Sequence, residues 1–425
     1  MDPTPMRILV VGHGGRETAI CRALSTAATV PELLIAPGNA GTAAFGQNVA
    51  VDAADREAVV SLAMREGVDL VLPGPKLPLV RGLADRLAES HIPCAGPSGA
   101  AAALEGSTIF AHTFMREAGL KMPNFAVTRR LAELAWAIDA WDGIPILKAD
   151  GLAGRRGVFL PASKAECLAV GERLLNGDFG EAGREFVVEQ RVCGVEATLT
   201  FACDATIAAA LPHALTYKRL DDGETGASTG GMGAVSPNPH VDATLCASVA
   251  HDFIDPVLAL LARRGTPYRG FLGARLMLTS EGPRLLALNV RLGDPEAQAI
   301  LPRLPQGSFL DVCAAIAQGS LASLPALPAK SESTCALVLA AAGYPGEPSL
   351  GGEITIDADL EEGEFWVDWG GARFADGHLY TSAGRVGTIV GSGQSLAQAR
   401  AVAYDAAPHV TFAGRHLRSD IGASS

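Results

Sequence analysis

The chain has 425 residues, 48% of them apolar and 19% charged, with a formal net charge of −12. At roughly 150 residues per domain, that length accommodates two to four domains with substantial cores. The acidic balance excludes a nucleic-acid or anionic-membrane footprint, but not phosphate binding, which depends on local donors.

In chain order, Met6–Val11 is an apolar run that ends in Gly12-His-Gly-Gly-Arg-Glu17, with helical periodicity to about Leu24. Short apolar runs at Glu32–Ala36 and Val68–Leu72 alternate with helical patterns at Arg56–Glu66 and Leu79–Ser90. Such alternation predicts a parallel sheet with helices on its faces, hence an N-terminal α/β substrate-binding domain over 1–105. A second part, 106–195, opens with a helix near Ser107–Ala118 and has extended runs at Pro145–Ala149, Gly157–Pro161 and Glu185–Glu189. Residues 196–320 read as an α+β body with helical patterns at Ala243–Arg264 and Phe309–Gln318. The Pro-, Ala- and Ser-rich stretch 321–333 reads as a linker. The remainder, 334–425, alternates short strands and has a helix at Leu396–Ala406 before Asp420-Ile-Gly422.

Eight cysteines are scattered without a C-x-x-C pair, mostly inside apolar runs, and read as small buried hydrophobes of a reducing compartment. No stretch approaches the roughly 20 apolar residues a membrane span needs, and the first strand begins too early for a leader peptide. A soluble cytoplasmic enzyme, monomer or homodimer, acting on small molecules is the expectation.

Four glycine-rich tracts carry the chemistry. Gly12–Glu17 lacks the third glycine of a dinucleotide fingerprint, yet its backbone N–H groups at a helix start can seat an anion, with Arg16 completing the grip. The alternative is a tight turn with a surface arginine. Ala36-Pro-Gly-Asn-Ala-Gly-Thr42 is a second such loop on the same sheet edge, which favours a ligand crevice. Around Lys148-Ala-Asp-Gly151, a lysine leaves a strand and the glycine-rich loop 151–157 follows, the layout of a lid over phosphates with Arg155 and Arg156 in it. Thr225–Gly233 is a fourth glycine-rich turn, preceded by Lys218-Arg219. Finally, Leu285-Leu-Ala-Leu-Asn289-Val-Arg291-Leu-Gly-Asp294-Pro-Glu296 runs an apolar strand into oxygen ligands suited to a hard cation and a phosphate.

These tracts, with Gly74-Pro75, Leu104-Glu-Gly-Ser107, Gly343-Tyr-Pro345 and Gly384-Arg-Val386, are collinear over about Met6 to Gly422. The chain resembles the glycinamide ribonucleotide synthetase (phosphoribosylamine–glycine ligase) family of the ATP-grasp superfamily. The resemblance implies an α/β fold with an N-terminal parallel-sheet domain, a two-part ATP-grasp domain and a C-terminal α+β domain. It implies amide formation through an acyl phosphate, with ATP and Mg2+ as cofactors. Carried over by position, Lys148, Glu189 and Glu196 would surround the nucleotide, joined by this chain's own Arg155, Arg156 and Arg275. Asn289 with Glu296 would hold metal. Gly15, Arg16, Asn39, Thr42, Lys76, Thr229, Gly231 and Arg385 would bind substrates, and Arg291, Asp294 and Lys218 would act on the carboxylate. For Glu189 and Lys218 a purely structural ion pair is the competing reading.

Departures from the family pattern gather at that chemistry. Thr108 and Arg156 stand where the family has lysines, Lys76 where it has glutamate, Thr216 where it has aspartate, and Ala287 where it has a metal-binding glutamate. Arg275 stands where it has a small residue. A specialised paralogue with a weakened magnesium and ATP site and a more anionic amine substrate is the first reading. An ATP-independent acyl or phosphoryl transferase and a silent metabolite-binding protein are the alternatives.

Overall fold

Ile8, Leu9, Val10 and Val11 are all fully buried, as a parallel strand covered on both faces requires. They form β1 (Arg7–Gly12), which pairs in parallel with β2 (Glu32–Pro37) and β4 (Leu70–Pro73). With β3 (Gln47–Asn48) the sheet order is β3-β2-β1-β4. The computed structural model describes residues 5–141, 143–151, 157–357 and 363–423. Arg155 and Arg156 lie outside the described residues.

Helix α1 (Gly15–Leu24) starts where β1 ends, and α2 (Arg56–Arg65) is capped by Asp55, which accepts from the Ala58 N–H at 3.0 Å. The single helix expected over Leu79–Ser90 is instead two, α3 (Lys76–Val80) and α4 (Leu83–Glu89), broken at Arg81–Gly82. Next come α5 (Gly99–Gly106) and α6 (Thr108–Glu117), with Ser107 capping α6 through the Phe110 N–H at 3.0 Å.

A small antiparallel sheet follows, ordered β5 (Phe125–Thr128), β8 (Phe186–Glu189), β6 (Ile146–Ala149), β7 (Val158–Phe159). Helices α7 (Leu131–Ala140) and α8 (Lys164–Leu175) bury Leu134, Ala137, Cys167 and Leu174 against Leu147, Phe186 and Val188. The body sheet runs β10 (Ala208–Ala210), β9 (Val195–Asp204), β13 (Arg269–Thr279), β14 (Gly282–Asn289). Against it lies α9 (Ala243–Val249), continued through a π turn at Ala250–Ile254 into α10 (Asp255–Arg263). Contrary to the hydropathy expectation, Ala243–Arg263 is long and apolar enough to cross a bilayer by length and composition. Its Val249, Phe253, Ile254, Val257 and Leu261 are buried with Leu272 and Leu285 in the body core, while Asp252 and Asp255 are exposed.

The largest departure from expectation concerns Thr225–Gly233, read as a turn. It lies in β12 (Thr225–Ser236), antiparallel to β11 (Leu215–Asp221) and to β15 (Ser333–Ala340). Pairing with β11 along the tract, joined by β15 only from Gly233 onward, overrides the weak strand propensity of glycine. The resulting sheet, β11-β12-β15-β20-β17, includes β20 (Arg385–Gly393) and β17 (Phe365–Trp369), so strands on either side of the 321–333 stretch share one sheet. A second C-terminal sheet is ordered β18 (Ala372–Ala375), β19 (His378–Thr381), β16 (Glu353–Ile356), β21 (Val410–Thr411). Helix α13 (Leu396–Ala406) covers the five-stranded sheet with Ala399 and Ala403.

Two helices weld the parts together. From α11 (Glu296–Ile300) and α12 (Ser308–Gln318), Ala297, Ile300, Val312 and Ile316 bury against Ala19, Ile20 and Leu24 of α1 and against Ala336 of β15. That shared core sets the Gly14 turn opposite the Gly293 turn. Five cysteines are buried and Cys193 is exposed; all eight thiols are free. Burial pushes the Cys94 and Cys335 thiols up to about 12.

Candidate active site

The first wall of the site is the Gly12–Glu17 turn, and the structure corrects its expected role. Glu17 folds back into the turn, accepting from the Gly14 N–H at 2.5 Å and from Arg16 Nε at 2.7 Å. A Cβ at Gly74 would land on the Glu17 carboxylate, so the glycine of Gly74-Pro75 leaves room for that side chain as it folds back. Arg16 is only 7% exposed and also donates to the Leu292 carbonyl at 3.2 Å. The anion seat is thus occupied by the chain's own carboxylate, and Arg16 ties the turn to the 291–296 tract.

Asn39 and Thr42 are likewise turned inward. Asn39 Oδ1 accepts from the Gly41 N–H at 2.7 Å and the Thr42 N–H at 3.1 Å, while its Nδ2 donates to the carbonyls of His13 and Gly14 at 3.0 and 3.2 Å. Thr42 Oγ1 closes the loop by accepting from the Asn39 N–H at 2.8 Å. Both side chains fix the loop and the turn to each other. Gly15, by contrast, lines a cavity of about 260 Å3 shared with Gly14, Asp294, Asp368, Arg385 and Thr388.

The opposite wall comes from the 291–296 tract. Arg291 donates to Glu105 Oε1 at 3.0 Å and to the Leu292 carbonyl at 2.9 Å, and Glu105 Oε2 accepts from the Val290 N–H at 2.8 Å. Lys76, at the start of α3, reaches Glu105 Oε1 at 3.8 Å with its side chain 35% exposed, so it stands at the mouth of the crevice. Asp294 pairs with Arg385 at 3.1 Å and accepts from Gln298 Nε2 at 2.9 Å; a Cβ at Gly14 would lie 3.3 Å from its Oδ2. Arg385 also donates to the carbonyls of Gly230 and Asp294 at 3.2 and 2.6 Å. Gly231, at φ 119°, lies where a Cβ would strike the Pro295 ring. Residues 229–231 therefore form a wall common to the crevice and to the basic cluster behind it.

That cluster is centred on Glu196. Lys218 Nζ donates to its Oε1 at 2.7 Å, and Arg275 Nε donates to the same oxygen. Burial opposes ionisation of Glu196, but Arg275 and Lys218 outweigh it and hold the carboxyl at about 2. Burial and the neighbouring Arg275 lower the Lys218 ammonium, with Glu196 opposing. Thr229 Oγ1 donates to the Lys218 carbonyl at 2.8 Å, fixing the lysine to β12. A second knot lies on the small sheet: Lys148 Nζ donates to Glu189 Oε2 at 2.7 Å and to the Leu286 carbonyl at 3.3 Å, and His112 Nε2 lies 2.7 Å from the same carboxylate oxygen. Burial opposes the Glu189 charge, but Lys148 and His112 prevail and depress its pKa. At 1% exposure Glu189 is enclosed, which favours its structural reading over a nucleotide contact.

Oxygen donors for a metal are few. The Arg275 ladder partner is Ala287, and Asn289 faces Gly273. Glu196 and Glu189 are each engaged by two basic side chains. Glu296, folded over Gly293, acts electrostatically on Lys218, Arg275 and Arg291. Among the described residues no group of three or more His, Cys, Asp and Glu is placed to hold an ion. ATP-grasp ligases use ATP with Mg2+, and Asn289 and Glu296 are the donors left for a cation whose remaining ligands are nucleotide phosphates and water. Thr108, at a departure from the family pattern, donates to the Ala149 carbonyl at 3.0 Å and so serves α6 rather than a phosphate.

Four residues that sequence reasoning did not single out belong to the site. Glu105 orients Arg291, Gln298 orients Asp294, Tyr344 accepts from the Gly230 N–H at 3.1 Å, and Asp368 lines the crevice floor. Glu105 and Tyr344 carried a signal, their places in Leu104-Glu-Gly-Ser107 and Gly343-Tyr-Pro345. Buried polar atoms without a partner also border the crevice, Thr216 Oγ1 near Gly231 and Gln298 Oε1 near Gly15.

Comparison with known proteins accounts for this arrangement. Models of the phosphoribosylglycinamide synthetase N domain, ATP-grasp (A) domain and C domain match residues 6–105, 106–297 and 334–424. A phosphoribosylamine–glycine ligase of Phenylobacterium zucineum is 38% identical over 98% of this chain and 99% of its own. One of Mycobacterium tuberculosis is 38% identical over 98% of both chains. The crystal structure of the Thermotoga maritima phosphoribosylamine–glycine ligase superimposes with a TM-score of 0.86 at 31% identity, covering 98% of this chain and all of that one. A Hydrogenobacter thermophilus biotin carboxylase domain, solved with MgADP and bicarbonate, shares the fold alone, with a TM-score of 0.70 at 14% identity, covering 97% of this chain and 91% of its own. By its three domains and by relatives matched over nearly their whole length, the chain belongs to the phosphoribosylglycinamide synthetase family, ATP-dependent carbon–nitrogen ligases of the ATP-grasp class.

Proposed function

We propose that the chain joins glycine, or a closely related small carboxylate, to the amine of a phosphoribosylamine-type substrate, with ATP as phosphoryl donor. One observation carries this reading. The Arg291–Glu105 and Asp294–Arg385 ion pairs, with the Arg16–Leu292 hydrogen bond, bring α5, the N-terminal turn, the Gly293 turn and β20 to one crevice that shares a wall with the Lys218–Glu196–Arg275 cluster.

In the proposed reaction a carboxylate oxygen attacks the γ-phosphorus of ATP, the bond to the bridging oxygen breaks, and ADP leaves. The amine nitrogen then attacks the acyl carbon, the C–O bond to phosphate breaks with its electron pair, and the nitrogen loses a proton. Lys218 and Arg275 would meet charge that grows on the transferring phosphoryl group, where fixed donors act most strongly. Arg291, held by Glu105, would orient the carboxylate, and Asp294, facing the Gly14 turn, would accept from the amine. Asn289 and Glu296 would hold the magnesium that accompanies ATP, which would share the charge of the transferring phosphoryl group.

The reading extends to a specialised member of the family with a retuned amine site and weak magnesium affinity. Lys76 at the crevice mouth supports a co-substrate with an additional negative charge, and Arg275 beside Ala287 supports reliance on fixed cations. The test is turnover of ATP with glycine and phosphoribosylamine across a magnesium titration, product identified by mass. Brisk glycinamide ribonucleotide formation at ordinary magnesium would end the specialised reading and keep the ligase. Nucleotide binding without amide formation from any amine offered would overturn the ligase, leaving a transferase or a binding protein.

A further inference from the structure

Strand β11 lies at one end of its sheet, with β12 as its ladder neighbour among the described residues, and its register slips between Tyr217 and Arg219 and again between Arg219 and Asp221. Lys218 therefore sits in the most irregular part of an edge strand, the kind of element least able to hold an ammonium within a few tenths of an ångström. Residues 416–422 supply what the ladder lacks. His416 Nε2 lies 2.9 Å from the Leu220 carbonyl, the Ser419 N–H donates to Asp222 Oδ1 at 2.9 Å, and the Gly422 N–H donates to the Tyr217 hydroxyl at 3.1 Å. From the other direction, the Gly223 N–H donates to Asp420 Oδ2 at 2.8 Å.

Arg418 is the centre of this brace. It is only 1% exposed, grips Asp420 with Nε and Nη2 at 2.7 Å each, and donates through Nη1 to the Arg219 carbonyl at 3.1 Å and to Glu224 at 2.6 Å. Its guanidinium also lies over the Tyr217 ring, 5.2 Å from the centroid. The Arg219 carbonyl it takes is the one between the two register slips. Tyr217 meets Arg418 and Gly422 while Lys218 meets Glu196, so the brace holds the strand through groups other than those that face Glu196.

We propose that Arg418 is a positioning residue: by fixing the irregular strand β11, it aims the Lys218 ammonium at Glu196 and the reacting groups. This rests on the reading of Lys218 as part of the ligase site. A lysine in its place keeps the charge but not the planar fork that reaches several acceptors at once.

The experiment compares the full chain with its Arg418→Lys and Tyr217→Phe variants. It follows acetylation of Lys218 by acetic anhydride against pH, resolved by peptide mass, beside kcat and KM for glycine and the dissociation constant of ATP. For R418K we expect a faster, pH-shifted acetylation of Lys218. We also expect a fall in kcat/KM on the order of 100-fold, the scale of a displacement transmitted from outside the chemistry, with ATP affinity unchanged. Y217F, which deletes one bond of the brace and keeps the ring, should move both readouts in the same direction by less; it carries the test if R418K does not fold. Unchanged Lys218 acetylation in the folded variants would overturn the proposal. So would ATP affinity falling in step with turnover, since that is general loosening. Acetylation needs no turnover, so a wild-type chain that forms no amide would sink the reaction assigned above while the brace is still decided.

Discussion

Glu189 and Glu196 are close in sequence, and each is shared by two basic side chains, yet they do different work. Glu189 is 1% exposed, and the Lys148–Glu189–His112 knot closes on itself inside the small sheet. The Glu196 side chain is 29% exposed and binds Lys218 and Arg275, whose charges exceed its own, at the wall of the crevice. The enclosed knot holds structure; the open one leaves two partly exposed cations within reach of an anion. A third carboxylate completes the comparison. Asp368 has a single cation, Arg22 at 3.0 Å, and burial raises its carboxyl to about 6, whereas two cations hold Glu196 at about 2.

Breaking the enclosed knot should have the largest effect. Lys148→Ala leaves Glu189 buried without its ammonium, and we expect about 3–5 kcal/mol of lost stability in denaturant unfolding. A loss under ~1 kcal/mol would mean that Glu189 is not structural. Disturbing the open knot should instead spare the fold. Arg275→Met is expected to lower kcat/KM by about 100- to 1000-fold, the range seen when one preorganised donor to a developing charge is removed, with little change in melting temperature.

Asp368 gives a test of sign. Its folded pKa is raised above the roughly 3.9 of an unfolded chain, so the folded state binds the proton more tightly and loses stability as pH rises from about 4 through 6. The loss should amount to about 2–3 kcal/mol, and Asp368→Asn should flatten that part of the stability profile. Glu196 runs the other way, its contribution lost as pH falls from about 4.5 towards 2. A wild-type profile without a decline between pH 4 and 6 would mean that Asp368 is not held neutral. The smallest effect expected is a gain: Ala287→Glu should tighten magnesium binding by about 10-fold, the lower end of what supporting groups contribute. No gain in a magnesium titration would show that Arg275 has remade the site.

Much of the fold was legible because local patterns agreed with tertiary context. The apolar run before Gly12 and the alternation through Leu72 predict the parallel sheet, and Ser107 and Asp55 mark helix starts through chemistry confined to one turn. The Thr225–Gly233 tract was misread because its conformation is imposed by pairing with β11, which overrides what its glycines suggest, and β15 joins only at Gly233. Helix Ala243–Arg263 passed below the hydropathy reading because polar residues on its exposed side, Asp252 and Asp255 among them, interrupt the apolar run along the sequence.

In the site, residue types were legible and partners were not. Arg291, Asp294 and Arg385 were identifiable from motifs and do converge, but Glu105, which holds Arg291, is 186 positions away in sequence. Arg16 looked like a ligand to an anion because its neighbour Glu17 was not seen as the anion it holds. Arg275 looked like a lone intruder, and only the register of β9 against β13 brings it to Glu196.

By itself, then, the amino-acid order determined the family, the strand and helix periodicities, and the absence of a carboxylate at Ala287, all of them properties of residue identity and near-neighbour spacing. Tertiary structure alone decided which charges meet. It enclosed Glu189, left Glu196 open between two cations, filled the Gly14 turn with Glu17, and set residues 416–422 against β11. The reason is that charge pairing depends on through-space distance and local burial, and neither is a function of separation along the chain.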